Sequence, residues 1–347
     1  MKRLFLTVFL CLLGGLAAFA QSDLQPAAIV NLIKSEPITV KQLRTEVERM
    51  EQGNGRPLNA EERRQVLDVL INEKLVFQAA ERDKIAITEN EVNQQLQQFR
   101  ANMVQVIGRQ PTDAEFATAV RNETGLEVPA FRELLRKQFI INKYLQAKKQ
   151  NVFESLKIPT EEEIQNTFSL ARSDFVRPQT VRFSMIQVNY GADAAAKARA
   201  KELADRLFRE IGSSPAKFDE VVLRAQAPNS GFQAGDGGFL PRNMEAQQIV
   251  GADFINTAFA LKQGEVSRLM EGAMGYQIIK ITETYGMKNL ELDDIFQLGT
   301  RITVRDFIGN SLLQQRQQAV RAQATQELVS ELRTGNTFQV FERNLNW

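Results

Sequence analysis

The sequence contains no histidine and a single cysteine, Cys11, in its 347 residues. Histidine is the commonest general base and a frequent transition-metal ligand, so its absence removes the usual routes to acid–base and metal chemistry. Cys11 lies in an N-terminal stretch that we expect to be removed. The mature chain is therefore expected to have no disulfide, thiolate nucleophile or thiolate metal site, and no metal or cofactor.

The N-terminus has the layout of a secretory signal peptide. Lys2 and Arg3 precede an apolar run over residues 4–17, and residues 18–20 (Ala-Phe-Ala) have the small-x-small order of a cleavage site. We expect cleavage after Ala20. The run is shorter than the ~20 residues that span a bilayer and no second run follows, so stable membrane insertion of the mature chain is not expected. Cys11 raises lipidation as an alternative, but the small residues expected before an acylated cysteine are missing.

The charge balance is nearly neutral. Of 43 Lys and Arg residues, two leave with the signal peptide, so 41 cations remain against 42 acidic residues. This balance does not favour nucleic acid as a partner. The length exceeds the roughly 100 to 200 residues of an ordinary domain, which predicts two domains or one large interwoven domain.

Residues 39–175 are predicted to be almost entirely helical. Five capping boxes, in which a side chain at the helix start and a partner three residues later cap each other's amides, mark five helix starts. They are Thr39 with Gln42, Asn59 with Glu62, Thr88 with Glu91, Thr112 with Glu115, and Thr160 with Glu163. A further helix is predicted to begin near Pro129.

The remaining chain alternates strands and helices. A strand at residues 181–188, helices at 192–211 and 217–224, a glycine-rich turn at 235–238, a short helix and two β-rich runs are predicted in that order. A long helix then follows Thr303 and ends near Arg333, with Gly335 beyond it.

Two isolated β-leaning segments, residues 27–33 and 337–341, lie near the chain ends. Each has exposed edges unless it is paired, so we expect them to share a sheet. The long helix cannot bury its apolar face alone, and we expect it to pack on the N-terminal helices through residues that include Leu312 and Leu328.

Four segments between Gly235 and Ile281 follow the order of a known module. They are a glycine-rich turn to Phe239, a helix bearing Phe254 and Phe259, an LxxGExS step over residues 261–267, and the strand GYQIIKI over residues 275–281. The pattern resembles the rotamase module of parvulin-type peptidyl-prolyl isomerases. The resemblance implies a compact α+β domain that holds prolyl peptides.

The segments SEPIT at Ser35, PTEEEI at Pro159 and VRFSMIQV at Val181 resemble those of SurA-type periplasmic chaperones. The resemblance implies an α+β fold: a helical SurA-type chaperone domain built from N- and C-terminal segments, with an inserted parvulin-like α/β domain. The expected boundaries are 1–20 for the signal peptide, 21–178 for the N-terminal helical chaperone region, 179–285 for the parvulin-like domain, and 286–347 for a C-terminal helix and strand that pack back on the N-terminal region.

The resemblance also implies an apolar pocket beside a polar cluster of two His and a Cys or Asp. In this sequence the His positions are occupied by Met185 and Gln277, and the third polar segment aligns with Gln226, Ala227 and Pro228. Every polar position of the cluster is therefore substituted, and no catalytic residue is expected.

The apolar pocket is better retained. The expected substrate-binding residues are Met185, Leu240, Met244, Phe254, Phe259 and Gln277. Val250 is an alternative to Met244, because Met244 lies ten residues before Phe254 and the usual spacing is shorter. The same apolar residues are also compatible with an ordinary core, since periodicity does not separate core from pocket.

Two functions of different class follow from the resemblance. The first is a periplasmic chaperone that binds unfolded client polypeptides, with outer-membrane proteins as the expected clients and a parvulin-like domain of low or no isomerase activity. The alternative is an active peptidyl-prolyl cis-trans isomerase that assists the folding of exported proteins. A third, adhesin-like role at the cell surface stays open. Loss of the ionisable site positions favours binding over catalysis.

Overall fold

The computed structural model describes residues 23–227 and 230–345, apart from the side chains of Gln105 and Val106. The predicted signal peptide and its cleavage site lie outside these residues, as does Pro228. The described chain divides into two compact units. The first contains the residues up to Lys157 together with those from Gln315, and the second is Ile158–Gln314.

The first unit opens with a two-stranded hairpin that is followed by helices. These elements are β1 (Pro26–Val30), β2 (Glu36–Thr39), α1 (Val40–Asn54), α2 (Ala60–Arg82), α3 (Glu89–Ile107), α4 (Asp113–Thr124), α5 (Val128–Lys148) and α6 (Gln150–Glu154). The second unit contains α7 (Glu161–Leu170), β3 (Val176–Arg177), β4 (Thr180–Asn189), α8 (Ala194–Ile211), α9 (Pro215–Arg224), β5 (Gln233–Pro241), α10 (Met244–Val250), α11 (Ala252–Ala260), β6 (Met270–Glu271), β7 (Gly275–Tyr285) and β8 (Lys288–Asn289). The last elements are α12 (Val304–Leu332) and β9 (Phe338–Val340).

The five predicted capping boxes are confirmed. In α1, α2, α3, α4 and α7 the side chain of the capping residue accepts a hydrogen bond from the backbone of the third helical residue, whose own side chain accepts one from the backbone of the capping residue. Helix α5 has proline in its first turn, as predicted. Thr303 caps α12, since its hydroxyl accepts from the amide of Asp306 at 3.1 Å. Local sequence therefore determines where these helices begin.

The predicted pairing of the chain ends is also confirmed. The described strands of the first unit form a sheet in the order β2-β1-β9, with Ala28 opposite Val340 and Val30 opposite Phe338. The hairpin between β1 and β2 is held from α2 by Gln78, whose amide oxygen accepts hydrogen bonds from Leu32 N at 3.0 Å and Ile33 N at 3.1 Å. Gln78 is almost fully buried, so these bonds meet the requirement that a buried amide be paired.

The C-terminal half of α12 is part of the first unit's core. Leu328 and Leu332 are buried in the same cluster as the apolar face of α2. Lys149, which follows α5 and is 6% exposed, pairs with Glu331 at 2.5 Å and with Glu327 at 3.5 Å. Because a buried ammonium group without a partner is costly, this ion pair ties α12 to the end of α5.

The expectation that Leu312, towards the other end of α12, packs on the N-terminal helices is wrong. Leu312 packs with Phe168, Phe175, Leu290 and Ile308, all within the second unit, and does not reach the core of α2. This cluster and the short pairing of β3 with β8 join the segments on either side of the predicted parvulin-like stretch. As a result, the second unit extends at both ends beyond residues 179–285.

In the second unit, the described strands form a sheet in the order β5-β4-β7-β6, with antiparallel pairs. One face of β4 and β7 packs on α8 and α9, with Ile186 and Ile278 in its core. The other face packs on α10 and α11, with Phe183 and Ile281 in its core. Successive side chains on a strand point to opposite faces, which explains why the two cores lie on opposite sides of the sheet.

The predicted glycine-rich turn is instead part of strand β5. Gly235 to Gly238 pair with β4, with a bulge beside Phe183. A Cβ atom at Gly237 would lie 2.2 Å from the Phe183 ring, so the absence of a side chain allows the two strands to approach. Cross-strand pairing therefore overrides the low strand propensity of glycine here.

Leu328→Ala is expected to destabilise the first unit by about 2 to 5 kcal/mol, because it removes a buried leucine from the core shared with α2. Hydrogen exchange of the α2 amides should accelerate. Leu312→Ala is the matched control on the same helix, and it should accelerate exchange in β3 and β8 instead. Equal acceleration in α2 from both variants would contradict the assignment of the two halves of α12 to different cores.

The first unit is also expected to lose stability in acid. Hydrogen bonds from Arg56 and the capping amide lower the pKa of Glu62 from 4.5 to about 2, and similar bonds at Glu91 and Glu115 have the same effect. A lowered folded-state pKa stabilises the fold above the unfolded value of 4.5, and this stabilisation is lost as the pH falls towards about 2.

Urea unfolding measured at about pH 7 and about pH 3 tests this linkage. The combined change of Glu62, Glu91 and Glu115 to Gln should reduce the loss of stability between the two pH values, since Gln does not titrate. Glu61→Gln, in the same first helical turn as Glu62 but outside its capping box, is the control. An unchanged pH dependence in the triple variant would contradict the linkage.

Candidate functional site

The candidate site lies on the face of the sheet that packs against α10 and α11. Residues 181, 183 and 185 of β4 and residues 277, 279 and 281 of β7 share this face, because alternate side chains of a strand point the same way. In the register, Met185 pairs with Ile279 and Gln187 with Gln277. Met185 and Gln277 are therefore diagonal neighbours on adjacent strands.

Helix α11 is seated on this face by an aromatic pair. The rings of Phe183 and Phe254 lie 5.4 Å apart and meet edge to face at 71°. Phe254 is 6% exposed, and Ile255 and Ala258 of the same helix are buried beside it. Such pairs contribute about 0.5 to 1.5 kcal/mol beyond burial, so the start of α11 has a fixed position on the sheet.

A cavity of about 360 Å³ opens beside Phe254. Three segments form its wall: the junction of α10 and α11, strand β6 with the turn that follows it, and β7. The lining residues are Gln248, Ile249, Val250, Gly251, Ala252, Asp253, Phe254, Met270, Glu271, Gly272, Ala273 and Gln277. The volume is at the lower end of that of small-ligand sites, which are typically about 300 to 1,000 Å³.

Gln277 supplies an uncharged polar group to the cavity. It is half-buried on β7, opposite Gln187 on one side and Met270 on the other. The amide of Gln187 donates to Asn189 Oδ1 at 2.5 Å. Among the described residues, the side-chain amide of Gln277 has no hydrogen-bond partner, so it is available to a bound molecule.

The charged groups of the lining are two carboxylates held in ion pairs. Asp253 accepts from the guanidinium of Arg268 at 2.5 Å, and Glu271 pairs with Lys197 at 3.1 Å. The bond to Lys197 and a second to the Tyr190 hydroxyl lower the pKa of Glu271. Burial and the neighbouring Glu271 raise the pKa of Tyr190 to about 12, so this phenol stays protonated at neutral pH.

The sequence-based site residues divide into two groups in the structure. Phe254 and Gln277 line the cavity, and so does Val250, the alternative to Met244. Met244 is 72% exposed on the first turn of α10 and does not line it.

The other three expected binding residues pack in the core beneath the site. Leu240 is buried there, while Met185 and Phe259 are partly buried against the same cluster. The guanidinium of Arg242 lies over the Phe259 ring at 5.5 Å. None of these three residues lines the cavity.

The aligned third polar segment contributes no side chain to the cavity wall, because its described residues, Gln226 and Ala227, do not line it. Ala227 is exposed in the turn after α9, where its amide donates to Arg224 O at 3.1 Å. Pro228 lies outside the described residues. Of the three substituted positions, Gln277 is the one that the structure places in the cavity wall.

The turn between β6 and β7 is a part of the site that the sequence motifs did not predict. Met270 to Ala273 form one wall of the cavity. A signal for it was present, because Gly272 and Gly275 bracket a short segment immediately before the strand GYQIIKI, as expected of a turn between two strands. The segment lies between the two motifs that carried the resemblance and matches neither.

Within residues 23–227 and 230–345, no three His, Cys, Asp or Glu side chains are grouped so that they could hold a metal ion. In the same part of the chain, none of the helices combines the length and the apolar character needed to cross a bilayer.

Two family models match this chain. Residues 1–145 match a SurA-like N-terminal domain, and residues 159–295 match a PPIC-type peptidyl-prolyl isomerase domain. The protein thus combines a SurA-like domain with a parvulin-type domain. Over these two stretches, the chain is similar to SurA-like and PPIC-type proteins.

The curated proteins that resemble this chain include foldases and chaperones by name. The foldase protein PrsA of Clostridium botulinum is 24% identical over 303 residues, which cover 86% of this chain and 79% of that protein. The chaperone SurA of Alcanivorax borkumensis is 28% identical over 243 residues, or 68% of this chain and 51% of that protein. The match to SurA therefore spans about half of that relative's length.

Among solved structures, a SurA-like chaperone of Campylobacter jejuni, from a study of PEB4 and the periplasmic protein Cj1289, aligns with a TM-score of 0.41 at 13% identity. The alignment covers 91% of this chain and all of that one. PrsA of Bacillus subtilis aligns with a TM-score of 0.27 at 20% identity and covers 90% and 93% of the two chains.

The cavity is expected to admit a small prolyl amide. Titration with N-acetylproline methylamide should shift the methyl resonance of Met270, which lines the cavity and is 2% exposed. Val250→Trp should remove this shift by filling the space, while Met244→Trp should leave it unchanged because that position is open to solvent. The same Met270 shift in both variants would show that the probe binds elsewhere.

Proposed function

We propose that the protein binds unfolded client polypeptides after export, and that its parvulin-type unit is a peptide-binding module with little or no isomerase activity. The observation that carries this proposal is the composition of the cavity wall. It combines Phe254, Val250 and Met270 with the unpaired amide of Gln277, and its two carboxylates are held in ion pairs.

Such a wall suits peptide binding. An apolar side chain that enters the cavity loses its contact with water, which is worth about 25 cal/mol per Å² of apolar surface. The amide of Gln277 offers both a donor and an acceptor, so it can pair with the N–H or C=O of a peptide backbone. Since backbone groups are common to all peptides, this recognition is expected to be broad.

Catalysis of prolyl isomerisation makes a different demand. The barrier of ~18 to 20 kcal/mol arises from loss of amide resonance, and a catalyst must bind the twisted amide more tightly than the planar one. Met185 lies in the core and offers no hydrogen bond from the His position of the parvulin pattern. Gln277 alone is expected to bind the planar and twisted amides with similar affinity, which does not lower the barrier.

We place this activity in the periplasm, with outer-membrane proteins among the clients. The support is the signal-peptide layout of residues 1–20 and the SurA resemblance. A chaperone also needs apolar surface beyond a single site. Exposed Ile249 and Met274 lie at and beside the cavity wall and extend its apolar character.

The alternative is an active peptidyl-prolyl isomerase. It is favoured by the match of residues 159–295 to the PPIC-type domain and by the retained cavity. A pocket that merely desolvates the prolyl amide would give measurable turnover. We rank this function second because the polar cluster of the parvulin pattern is absent.

Peptide binding is tested by anisotropy of a fluorescently labelled apolar peptide that contains proline. Phe254→Ala should weaken binding at least about tenfold, since buried aromatic anchors dominate such contacts. Ile281→Ala is the matched control, because Ile281 is fully buried in the same core but does not line the cavity. Equal affinities of Phe254→Ala and the parent, or equal losses in the two variants, would count against this cavity as the peptide site.

A further inference from the structure

A turn connects β6 to β7 and forms one wall of the cavity. Glu271, Gly272 and Ala273 line the cavity directly, and Met274, next in the chain, is 69% exposed. Turns of this kind are mobile unless their backbone groups are tied down. The shape of the cavity therefore depends on what holds this turn.

The turn is held from outside the cavity by Tyr190, the residue after β4. Its hydroxyl lies 2.9 Å from Gly272 O and 3.0 Å from Glu271 Oε1, so its single hydrogen is shared between two acceptors of the turn. The backbone amide of Tyr190 donates to Met274 O at 2.9 Å. One residue thus contacts the turn at three positions along its length.

Tyr190 is itself fixed by its surroundings. Its ring meets that of Tyr276 edge to face at 5.3 Å and 87°. The ammonium group of Lys197 lies 4.4 Å from the Tyr190 ring centre and also pairs with Glu271. An aromatic ring packed in this way loses little further freedom when its hydroxyl donates, so it is a rigid support.

The turn also lies next to Gln277, whose side-chain amide lines the cavity. A Cβ atom placed on Gly272 would lie 3.0 Å from Gln277 Oε1, so the Gln277 amide lies next to the side of Gly272 that a side chain would occupy. Gly272 therefore lies between the Tyr190 hydroxyl on one side and the Gln277 amide on the other. Movement of the turn would change the position of that amide.

We propose that Tyr190 is a positioning residue for peptide binding: it fixes the 271–274 turn as a rigid wall of the cavity and so keeps the Gln277 amide aimed at the peptide backbone, without touching the peptide. This inference rests on the proposed function, since it assigns a role at the same site. Its physical content is preorganisation, in which a wall that is already ordered need not be ordered when the peptide binds.

The test compares Tyr190→Phe with the parent in the mature protein, using the labelled proline peptide. Removing the hydroxyl keeps the ring packing and the pairing of Glu271 with Lys197, but it removes the hydrogen-bond donor to Gly272 O. The dissociation constant should rise about threefold to tenfold, as expected from loss of one ordinary hydrogen bond. The matched control is Tyr285→Phe, which removes a hydroxyl bonded to Glu283 on β7 but away from the cavity.

A second readout separates positioning from a general loss of stability. The amide resonance of Gly272 should broaden and exchange with solvent faster in Tyr190→Phe, while it should be unchanged in Tyr285→Phe. Gly272→Ala should also weaken peptide binding, since its Cβ displaces the Gln277 amide although Tyr190 is intact. Melting temperatures of the variants establish that each is folded under the conditions of the binding assay.

The outcomes are distinct. The positioning role is overturned if the parent binds the peptide and Tyr190→Phe binds it with the same affinity. It is also overturned if Tyr190→Phe and Tyr285→Phe lose affinity equally. Either result leaves the proposed function standing. Absence of peptide binding by the parent would refute the proposed function instead. In that case an unchanged Gly272 resonance in Tyr190→Phe would overturn the assignment of Tyr190 as support of the turn, independently of any peptide.

Discussion

The pairing of β1 with both β2 and β9 is the constraint on which the architecture depends. It brings the start and the end of the described chain into one sheet. Gln78 ties that sheet to α2, and Lys149 with Glu331 ties the end of α5 to α12. Because both chain ends are fixed in the first unit, residues 158–314 form an insertion that folds around cores of its own.

Within that insertion, one sheet face serves two purposes. Phe183, Ile279 and Ile281 form a core that seats α11, and the same face continues into an open cavity where Gln277 ends the apolar pattern. The parvulin-type domain thereby presents a site whose lining contains no histidine or cysteine. The tight packing needed to maintain the cavity does not depend on those groups, which explains how the fold can persist without them.

Local signals determined most of the predictable structure. The capping boxes predicted helix starts correctly because a cap involves only residues three apart in sequence. The packing of Leu312 and Leu328 in different cores was not predictable from the sequence. Both residues lie on one continuous helix, and tertiary packing decides which core each of them joins. At the site, the motif named Phe254 and Gln277, which line the cavity, whereas the hydrogen bond from Tyr190 to Gly272 O joins distant parts of the chain and leaves no sequence pattern.

The central claim, binding without catalysis, is tested most directly by two-dimensional exchange NMR of a prolyl peptide with and without the protein. Uncatalysed isomerisation takes tens to hundreds of seconds, so free peptide gives no cis–trans cross peaks at mixing times of about one second. With protein present, the peptide resonances should shift and broaden and still give no such cross peaks. Cross peaks that appear with the protein and disappear in Gln277→Ala would contradict the account and make the protein an isomerase.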